Sequence, residues 1–391
     1  MLDGKLVIHA IADIHFGSSY NSEKLYDELH SEFIDKINFE VTDLIVFSGD
    51  YFQKVLSLNK KDGHFAMRFF YEIYQLTQEH DIYLRIIQGT EGHDLEQLNN
   101  FSVYEYKSKE LSFAKGDELS IEKRLFRIIR TVEEEELYFE DVDEPLYILY
   151  LPEEYPEDQY SYYKKFYNNE YFYDIIFGHG TFKFTAFLNQ KLESEKDVHS
   201  SVVFDEEFLS KIVEGPIIFG HIHSPQQWKN KIFYTSSFSR WAFGEEKDKG
   251  SLKIKIPIED RGNYEVERIK NERTLSYSTV DVKVFEEMTH SEVIPYIDAL
   301  KEKFDKVRFM GKFDDPVIGR IIHGTYSNES NVKMASQVIT KEKIKDKVET
   351  KYSFLTNHSL SIPQIIQKFI KLEYNKEIGK ERIAEIIKDE D

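Results

Sequence analysis

The sequence predicts an α/β fold in which short buried strands alternate with amphipathic helices. Apolar runs of strand length occur at 6–12, 44–48 and 82–87, where the sequence reads LVIHAIA, LIVFS and IYLRII. Between these runs, apolar residues recur at the three- and four-residue spacing of one helix face. A strand, a helix and a second strand in this order form a unit whose strands pair in parallel and are buried on both faces.

The pattern continues through the first 271 residues, which we interpret as one domain. The two helices are indicated by Leu25, Leu29, Phe33 and Ile37, behind the capping pair Asn21 and Ser22, and by Phe65, Phe69 and Ile73. Later strands are predicted at 147–151, 174–178, 216–220 and 231–236. The segments SLKIKI and NYEVERIK alternate polar and apolar residues, as strands that close a sheet do.

Three shorter regions follow the first domain. Residues 272–328 predict a small α/β capping domain of strand-helix-strand-strand order, in which VIGRIIHGTYS (317–327) is the last strand. Residues 329–355 are polar and lysine-rich, which is typical of a linker. Residues 356–391 predict helices with one apolar face, marked by Ile362, Ile365, Ile366, Phe369 and Ile370. Such a stripe either folds back on the body or docks on a partner, and we favour the partner.

Composition excludes several classes of site. The 391 residues include no cysteine, so disulfides and thiolate metal sites are excluded, and any metal must be held by nitrogen or oxygen ligands. The net charge of −20 argues against strong nucleic-acid binding by this chain alone, although it does not exclude a local basic channel. No apolar run approaches the length of a membrane span and no signal-peptide pattern is found, so we expect a cytoplasmic protein without membrane attachment.

Polar residues that suit metal binding follow five of the predicted strands. They are Asp13 and His15, Asp50, His93 and Asp94, His179, and His221 and His223. A Gly-His pair after a strand is by itself more often structural, but a D-x-H or H-x-H pair places both side chains on one face. Five such positions in order predict a pair of divalent ions, Mn, Fe or Zn more than Mg, with Asp50 as the bridging carboxylate.

The order of these patterns resembles the calcineurin-like metallophosphoesterases, whose motifs run D-x-H, G-D-x-x, G-N-H-D/E, H and G-H-x-H. Three further segments resemble the SbcD-like nucleases of phage or bacterial type. They are IFYTSSFSRWAFGEEKDKGSL (232–252) after G-H-x-H, IQGTEGHDLEQL (87–98) as a variant third motif, and YILYLPEEY (147–155) before the fourth motif. The resemblance at the level of motifs covers residues 6–252.

The resemblance implies a fold, a metal centre and a catalytic histidine. The fold is a four-layer α/β/β/α sandwich, and the cofactors are two divalent ions, Mn before Mg, Fe or Zn. The implied ligands are Asp13, His15, Asp50 and His223 for the first ion, and Asp50, His179 and His221 for the second. His93 matches the family histidine that steadies the transition state or protonates the leaving oxygen, and Asp94 is expected to orient it.

The chain departs from the family pattern at two positions. The family asparagine that completes the second metal site should precede His93, but Gly92 stands there and has no side-chain oxygen. Thr90, Glu91, a loop carbonyl or a water could substitute. Some relatives carry a histidine three residues after the bridging aspartate, where this chain has Gln53, which can hydrogen-bond phosphate but cannot transfer a proton at neutral pH.

DNA contacts are predicted from cations near the last two motifs. Lys183 follows the fourth motif, and Arg240, Lys247 and Lys249 lie in the loop after the fifth, so that these side chains could line a groove for phosphates. Trp241 in the same loop could stack on a base, although packing is the commoner role of a tryptophan.

The leading hypothesis is the nuclease subunit of an SbcCD-like DNA repair and recombination complex. Because the sequence has no G-x-x-x-x-G-K-[ST] phosphate loop, an ATP-driven step must come from a partner, which the family implies is an SbcC-like coiled-coil ATPase. We expect that partner on the C-terminal helices, and the family also implies a homodimer. The alternatives are a metal-dependent phosphatase or phosphodiesterase acting on small phosphoesters, and a scaffold subunit with weakened catalysis.

Overall fold

A computed structural model of the chain has a mixed α/β fold. It describes residues 4–18, 20–94, 97–115, 119–140, 142–165, 172–185, 202–245, 247–311, 313, 315–327, 329–334, 362–374 and 379. The chain divides into two compact units, residues 1–278 and 279–391. No helix in the described ranges is long and apolar enough to cross a membrane.

The first unit carries most of the strands. In chain order they are β1 Lys5–Ile11, β2 Leu44–Ser48, β3 Tyr83–Ile87, β4 Glu110–Lys115, β5 Leu119–Arg124, β6 Phe126–Ile129, β7 Glu133–Leu137, β8 Leu146–Leu151, β9 Ile175–His179, β10 Thr181–Phe182, β11 Val203–Phe204, β12 Ile217–Gly220, β13 Gln227–Trp228, β14 Ile232–Tyr234, β15 Gly250–Pro257 and β16 Glu265–Lys270. Its α-helices are α1 Ser22–Glu32, α2 Lys61–Glu79, α3 Glu91–Asp94, α4 Ser102–Lys107, α5 Gln159–Lys164 and α6 Glu206–Leu209.

Two six-stranded sheets form the body of the first unit. The first sheet has the order β16-β15-β1-β2-β3-β6, and the second has the order β13-β14-β12-β9-β8-β7. In the first sheet β1, β2, β3 and β6 are parallel, and in the second β14, β12, β9 and β8 are parallel. The predicted parallel pairing of β1, β2 and β3 is therefore confirmed. The antiparallel strands β15 and β16 extend the first sheet, as the alternating segments near its end predicted.

Three hydrophobic clusters show what covers each sheet face. One packs α1 and α2 against the first sheet, with Leu29 and Phe69 meeting Phe47. A second joins residues of the two sheets, such as Ile8 and Phe177. In the third, residues of the second sheet pack with residues from α5 and α6, namely Tyr162 and Leu209. Because both faces of each sheet are covered, the central strands are apolar on both sides, as their sequences predicted.

A buried ion pair also joins the two sheets. Arg85 on β3 is fully buried, and its guanidinium donates to both carboxylate oxygens of Glu135 on β7 at 2.8 and 2.9 Å. Its remaining N–H groups donate to three backbone carbonyl oxygens. Glu135 also accepts hydrogen bonds from Arg127 and Tyr150. The sequence EEEEL gave no strand signal at β7, because this strand buries a carboxylate where an apolar residue is usual.

The second unit is built on a three-stranded sheet. Its strands are β17 Tyr277–Asp281, β18 Lys306–Met310 and β19 Val332–Met334, and its helices are α7 His290–Lys303, α8 Pro316–Tyr326 and α9 Ile362–Tyr374. Residues 317–327 were predicted as a strand, and that prediction is wrong. Asp315 caps a helix there and Pro316 stands in its first turn. Ile318, Ile322 and Tyr326 then bury one helix face.

The boundary between the two units lies after Ser278, whereas the sequence predicted it at Asn271. The side chain of Asn271 is buried and donates to Glu28, to Ser239 and to the carbonyl oxygen of Phe238, so the chain beyond β16 is still fixed to the first unit. Of the predicted linker at 329–355, residues 329–334 are described and contain β19, and the others lie outside the described residues. Of the predicted C-terminal helices, α9 is described, and residues 375–391 other than Gly379 lie outside the described residues.

Candidate metal centre

The predicted ligands stand where parallel strands of both sheets end. Asp13 and Asp50 each lie two residues after the last residue of β1 and of β2. His179 is the last residue of β9, and His221 directly follows β12. Because parallel strands direct their carboxyl ends to the same edge of a sheet, residues far apart in sequence meet there.

Four of these residues adopt a left-handed backbone that is unfavourable for side chains other than glycine. The φ angles are 51° at Asp13, 53° at His15, 53° at Asp50 and 91° at His221. Each such residue costs on the order of 1–3 kcal/mol, and these conformations concentrate at functional sites. The turns after β1, β2 and β12 are therefore strained at the residues that carry the site.

Two glycines allow the loops to approach the site closely. Gly49 has a φ of 87°, and a Cβ atom there would collide with the ring of His179. Gly89 lies against Asp50, where a Cβ atom would collide with the carboxylate. Both loops can therefore reach the site only with glycine at these positions.

The first group of possible ligands contains Asp13, His15 and His223, whose ligand atoms all lie within 4.8 Å of one another. The Nε2 atoms of His15 and His223 lie 3.8 and 3.9 Å from Asp13 Oδ1. His15 Nε2 also lies 3.5 Å from Asp50 Oδ2. The first implied set of ligands is thus brought together, with Asp50 beside it.

The second group contains Asp50, His179 and His221, again within 4.8 Å. His179 Nδ1 lies 2.8 Å from the carbonyl oxygen of Ser48, so Nδ1 donates and Nε2 presents its lone pair. That Nε2 atom lies 3.3 Å from Asp50 Oδ2. A third group joins Asp50 to His15 and His93. Asp50 therefore lies between the two sets of implied ligands, where a bridging carboxylate is expected.

Several histidine nitrogens of this centre have no hydrogen-bond partner among the residues that the structure describes. They are both ring nitrogens of His15, Nε2 of His179 and Nδ1 of His221, and all are buried. Buried polar groups are nearly always hydrogen-bonded, so unpaired imidazole lone pairs among carboxylates call for a further positive group. A divalent cation fits this requirement, and the described groups could hold one.

The charges of the centre depend on one another. Burial favours the neutral form of Asp50, but the neighbouring imidazoles of His179, His93 and His15 outweigh it and hold the pKa of Asp50 well below its usual range. Burial opposes a charge on His179, but Asp50 outweighs it and raises the pKa of His179 well above its usual value, so a cation at Nε2 would take the place of a proton. Asp50 is therefore ionised and ready to bind a cation.

His93 contacts Asp50 rather than the residue predicted to orient it. Its Nδ1 lies 3.0 Å from Asp50 Oδ2, and its Nε2 lies 3.3 Å from Nε2 of Gln53. Asp94 is buried and its carboxylate accepts hydrogen bonds from the backbone N–H groups of Phe52 and Gly89. The prediction that Asp94 orients His93 is thus corrected, because this carboxylate ties two loops together. Burial raises the pKa of Asp94 to about 7.

The region of the missing asparagine contains one close oxygen. Thr90 donates through its backbone N–H to Asp50 Oδ1 at 2.7 Å, and through its hydroxyl to Asp50 Oδ2 at 3.2 Å. Glu91 and Gly92 are exposed. Of the two side chains among the four substitutes considered, Thr90 is therefore the one that reaches Asp50.

Sequence reasoning missed Glu153, a buried carboxylate at the same edge. It follows β8, and its Oε2 lies 3.0 Å from the Thr90 hydroxyl, 3.3 Å from His221 Nδ1 and 3.6 Å from His179 Nε2. The sequence did contain a signal that could have identified Glu153. Glu153 stands two residues after the last residue of its strand, as Asp13 and Asp50 do after theirs.

The loop after β14 closes the other side of the centre. Trp241 packs its ring edgewise against His15 and His223, with ring centres 4.2 and 4.7 Å away. Glu245, which the sequence did not single out, lies 3.4 Å from His223 Nδ1 and accepts a hydrogen bond from the backbone N–H of Trp241. Trp241 thus packs on two predicted ligands, and Glu245 positions one of them.

The predicted DNA contacts differ in accessibility. Lys249 is 1% exposed and donates to Ser237 Oγ and to the carbonyl oxygen of His223, both at 2.7 Å. The predicted DNA contact of Lys249 is therefore wrong, because its buried ammonium group donates hydrogen bonds within the protein. Arg240 is half-buried and donates to backbone carbonyl oxygens. Lys183 is exposed and paired with Asp205, and Lys247 is exposed. Contact with DNA stays a prediction for these residues and for Gln53.

Comparisons with known proteins add little. No protein-family model matches the chain, and no curated protein matches it. Solved structures do match, and one of them shares 13% sequence identity with this chain. The match covers 68% of this chain and 100% of the other chain, with a TM-score of 0.32. A likeness at this level carries no argument about fold or function.

Proposed function

We propose that this protein is a two-metal phosphodiester hydrolase that cleaves DNA as the nuclease subunit of an SbcCD-like complex. The observation that carries the proposal is the placement of Asp50. Its buried carboxylate lies within 3.5 Å of nitrogens from His15, His93 and His179, which come from three different strand ends. A carboxylate between two groups of imidazoles is the arrangement expected of a bridging ligand.

The fold supports this proposal. Hydrophobic clusters lie between the two sheets and on the outer face of each, where they include helical residues. This order of layers is the one expected of the α/β/β/α sandwich that the sequence motifs imply. The proposed site lies at the carboxyl edge of the parallel strands, the usual place for ligands in such folds.

The residues of the centre divide into three roles. Asp13, His15 and His223 would hold a first divalent ion, His179 and His221 would hold a second, and Asp50 lies where it could contact both. Two such ions, Mn before Mg, Fe or Zn, would supply charge that stabilises an in-line displacement at phosphorus and would lower the pKa of water. Gly49 and the strained turns hold the ligands in place, so little reorganisation is needed when substrate arrives.

His93 is the proposed proton donor. Burial disfavours its charged form, but the hydrogen bond to Asp50 and the charge of that carboxylate outweigh burial and raise the pKa of His93. With Nδ1 held by Asp50, Nε2 remains for the leaving oxygen of the ester, and the side chain is 26% exposed. Gln53 is within reach of the same nitrogen and would hydrogen-bond a phosphate oxygen.

The DNA substrate and the protein partner rest on the resemblance of 6–252 to SbcD-like nucleases. The apolar stripe of α9 fits docking on a coiled-coil ATPase by helix-in-groove packing. Such a partner would also supply the cationic surface that a chain of net charge −20 lacks.

Cleavage assays on the purified chain test the proposal. The chain is stripped with chelator, reloaded with Mn²⁺, and given duplex DNA or a small phosphodiester, each with and without its ATPase partner. Mn-dependent DNA cleavage supports the nuclease. Cleavage of small esters alone favours the phosphodiesterase alternative, and metal binding without cleavage of either substrate favours the scaffold.

A further inference from the structure

We infer that Glu153 is a direct ligand of the second metal ion, on which it supplies the oxygen that the third motif of this chain lacks. The inference rests on the proposed function and deepens it. It assigns a ligand to a residue that lies outside all the metal-binding motifs read from the sequence.

The position of Glu153 in the second sheet brings it to this ion. The strand β8 that precedes it pairs in parallel with β9, and β9 pairs in parallel with β12. These two strands end in His179 and lead into His221. Glu153, His179 and His221 thus come from three adjacent parallel strands and meet at one edge.

The distances are those of ligands around one ion. Two ligand atoms at ~2.1 Å from a cation, at octahedral or tetrahedral angles, lie roughly 3.0–3.4 Å from each other. Glu153 Oε2 lies 3.3 Å from His221 Nδ1 and 3.6 Å from His179 Nε2. Asp50 Oδ2 lies 3.3 Å from the same His179 nitrogen. Two of these distances fall within that range and the third exceeds it by 0.2 Å, so Glu153 Oε2 is spaced as a fellow ligand of both imidazoles.

The alternative is an internal ion pair between Glu153 and protonated histidines. Neither His179 Nε2 nor His221 Nδ1 makes a hydrogen bond in the described structure, although Glu153 lies close to both. A pair built for stability would align its N–H with the carboxylate. The lack of such an aligned hydrogen bond and the 4% exposure of Glu153 suit a shared ion instead.

The rest of the Glu153 side chain is fixed in the way that metal ligands usually are. Its Oε1 accepts a hydrogen bond from the Tyr155 hydroxyl at 3.1 Å, which leaves Oε2 to face the centre. The Thr90 hydroxyl lies within hydrogen-bond distance of Glu153 Oε2 and of Asp50 Oδ2 and can donate its one proton to either, so it lies between the two carboxylates. Thr90 is thus a positioning residue, and such outer partners orient the ligands of metal sites.

Replacing Glu153 tests the assignment by counting bound metal. The full chain is stripped with EDTA and titrated with Mn²⁺, bound Mn is counted after desalting, and affinities are measured by calorimetry. We expect two ions in the wild type. Glu153→Gln keeps the size but loses the charge, and should retain one ion or bind the second about 10–100-fold more weakly. Glu154→Gln is the matched control, because that carboxylate accepts from Val132 N and contacts Lys165, outside the centre.

Electron paramagnetic resonance separates a ligand from a structural residue. Two Mn²⁺ ions bridged by Asp50 give an exchange-coupled spectrum, and Glu153→Gln should convert it to that of isolated ions. If Glu153→Gln does not fold, as judged by circular dichroism, Glu153→Asp takes its place. That variant keeps the charge on a shorter arm and should weaken only the second ion. Wild-type stoichiometry, affinities and coupling in the folded variant would overturn the assignment.

The outcome for Glu153 can be separated from the outcome for the nuclease. A wild type that binds two ions but cleaves no DNA rejects the nuclease, while loss of one ion in Glu153→Gln still supports the ligand. A wild type that binds no Mn²⁺ overturns both proposals.

Discussion

Two buried clusters of charged residues in the first unit differ in how their polar atoms are satisfied. Around Arg85 and Glu135, every guanidinium N–H and both carboxylate oxygens have partners. Around Asp50, buried nitrogens of three histidines have none. The first cluster is complete with protein groups alone. The second leaves buried nitrogens unpaired within the described residues and could hold a cation, which the first cluster could not.

The two clusters also differ in backbone strain. Asp13, His15, Asp50 and His221 have left-handed backbones, whereas Arg85 and Glu135 lie within the regular strands β3 and β7. A folded chain tolerates such strain where the surrounding structure fixes it for a purpose. The contrast implies that ligand affinity depends on the Asp50 cluster and stability depends on the Arg85 cluster.

The largest expected effect comes from Asp50→Asn. Because Asp50 contacts both sets of ligands, the variant should lose Mn²⁺ binding and DNA cleavage together. Mn²⁺ at a hundred times its dissociation constant should stabilise the wild type by about 2.7 kcal/mol and leave the variant unchanged. Thermal unfolding with and without Mn²⁺ measures this, and an equal Mn²⁺-induced shift in the variant contradicts the bridging role.

His93→Ala tests whether metal binding and catalysis in the Asp50 cluster can be separated. We expect DNA cleavage to fall about 10²–10⁴-fold, since a positioned proton donor is lost, while both Mn²⁺ ions remain bound. Single-turnover rates and metal counts check the two halves. His64→Ala, at an exposed position of α2, is the control and should cleave at the wild-type rate. Undiminished cleavage by His93→Ala removes its proposed role.

Glu135→Gln tests the other cluster. The variant leaves Arg85 buried with an uncharged partner, so the free energy of unfolding should fall by about 3–5 kcal/mol. Its content of Mn²⁺ should stay at the wild-type value. Urea denaturation measures the loss, and Glu134→Gln on the exposed side of the same strand should change stability by less than about 1 kcal/mol. A loss of metal in Glu135→Gln would show that the clusters are not independent.

The smallest expected effect is a pH dependence specific to the Arg85 cluster. Burial opposes the charge on Glu135, but Arg85 outweighs it and lowers the pKa of Glu135 to about 2. A carboxylate with a lowered pKa in the folded state stabilises the fold above its unfolded pKa, near 4.5, and this contribution is lost as pH falls toward 2. The stability difference between wild type and Glu135→Gln should therefore shrink as pH falls from 4.5 toward 2. A difference that is constant over this range contradicts the shift.

Local sequence could predict only part of this arrangement. The strands β1, β2, β3, β9 and β12 are continuous apolar runs with polar ends, so the sequence predicted both their places and the ligands behind them. It failed at β7, where the residue that pairs with Glu135 lies fifty positions away in Arg85. It also failed at α8, because a short apolar run fits either a strand or a buried helix until its cap is seen.

By itself, the sequence determined the α/β class and the residue types of the centre, because strand length, apolar runs and D-x-H or H-x-H pairs are local properties. Tertiary structure decided which atoms meet. It turned His93 toward Asp50 and Asp94 toward the backbone of two loops, buried Lys249, and brought Glu153 to His179 and His221. Most of these contacts depend on the pairing of distant strands, which places residues tens of positions apart within a few ångströms, and no local pattern records that pairing.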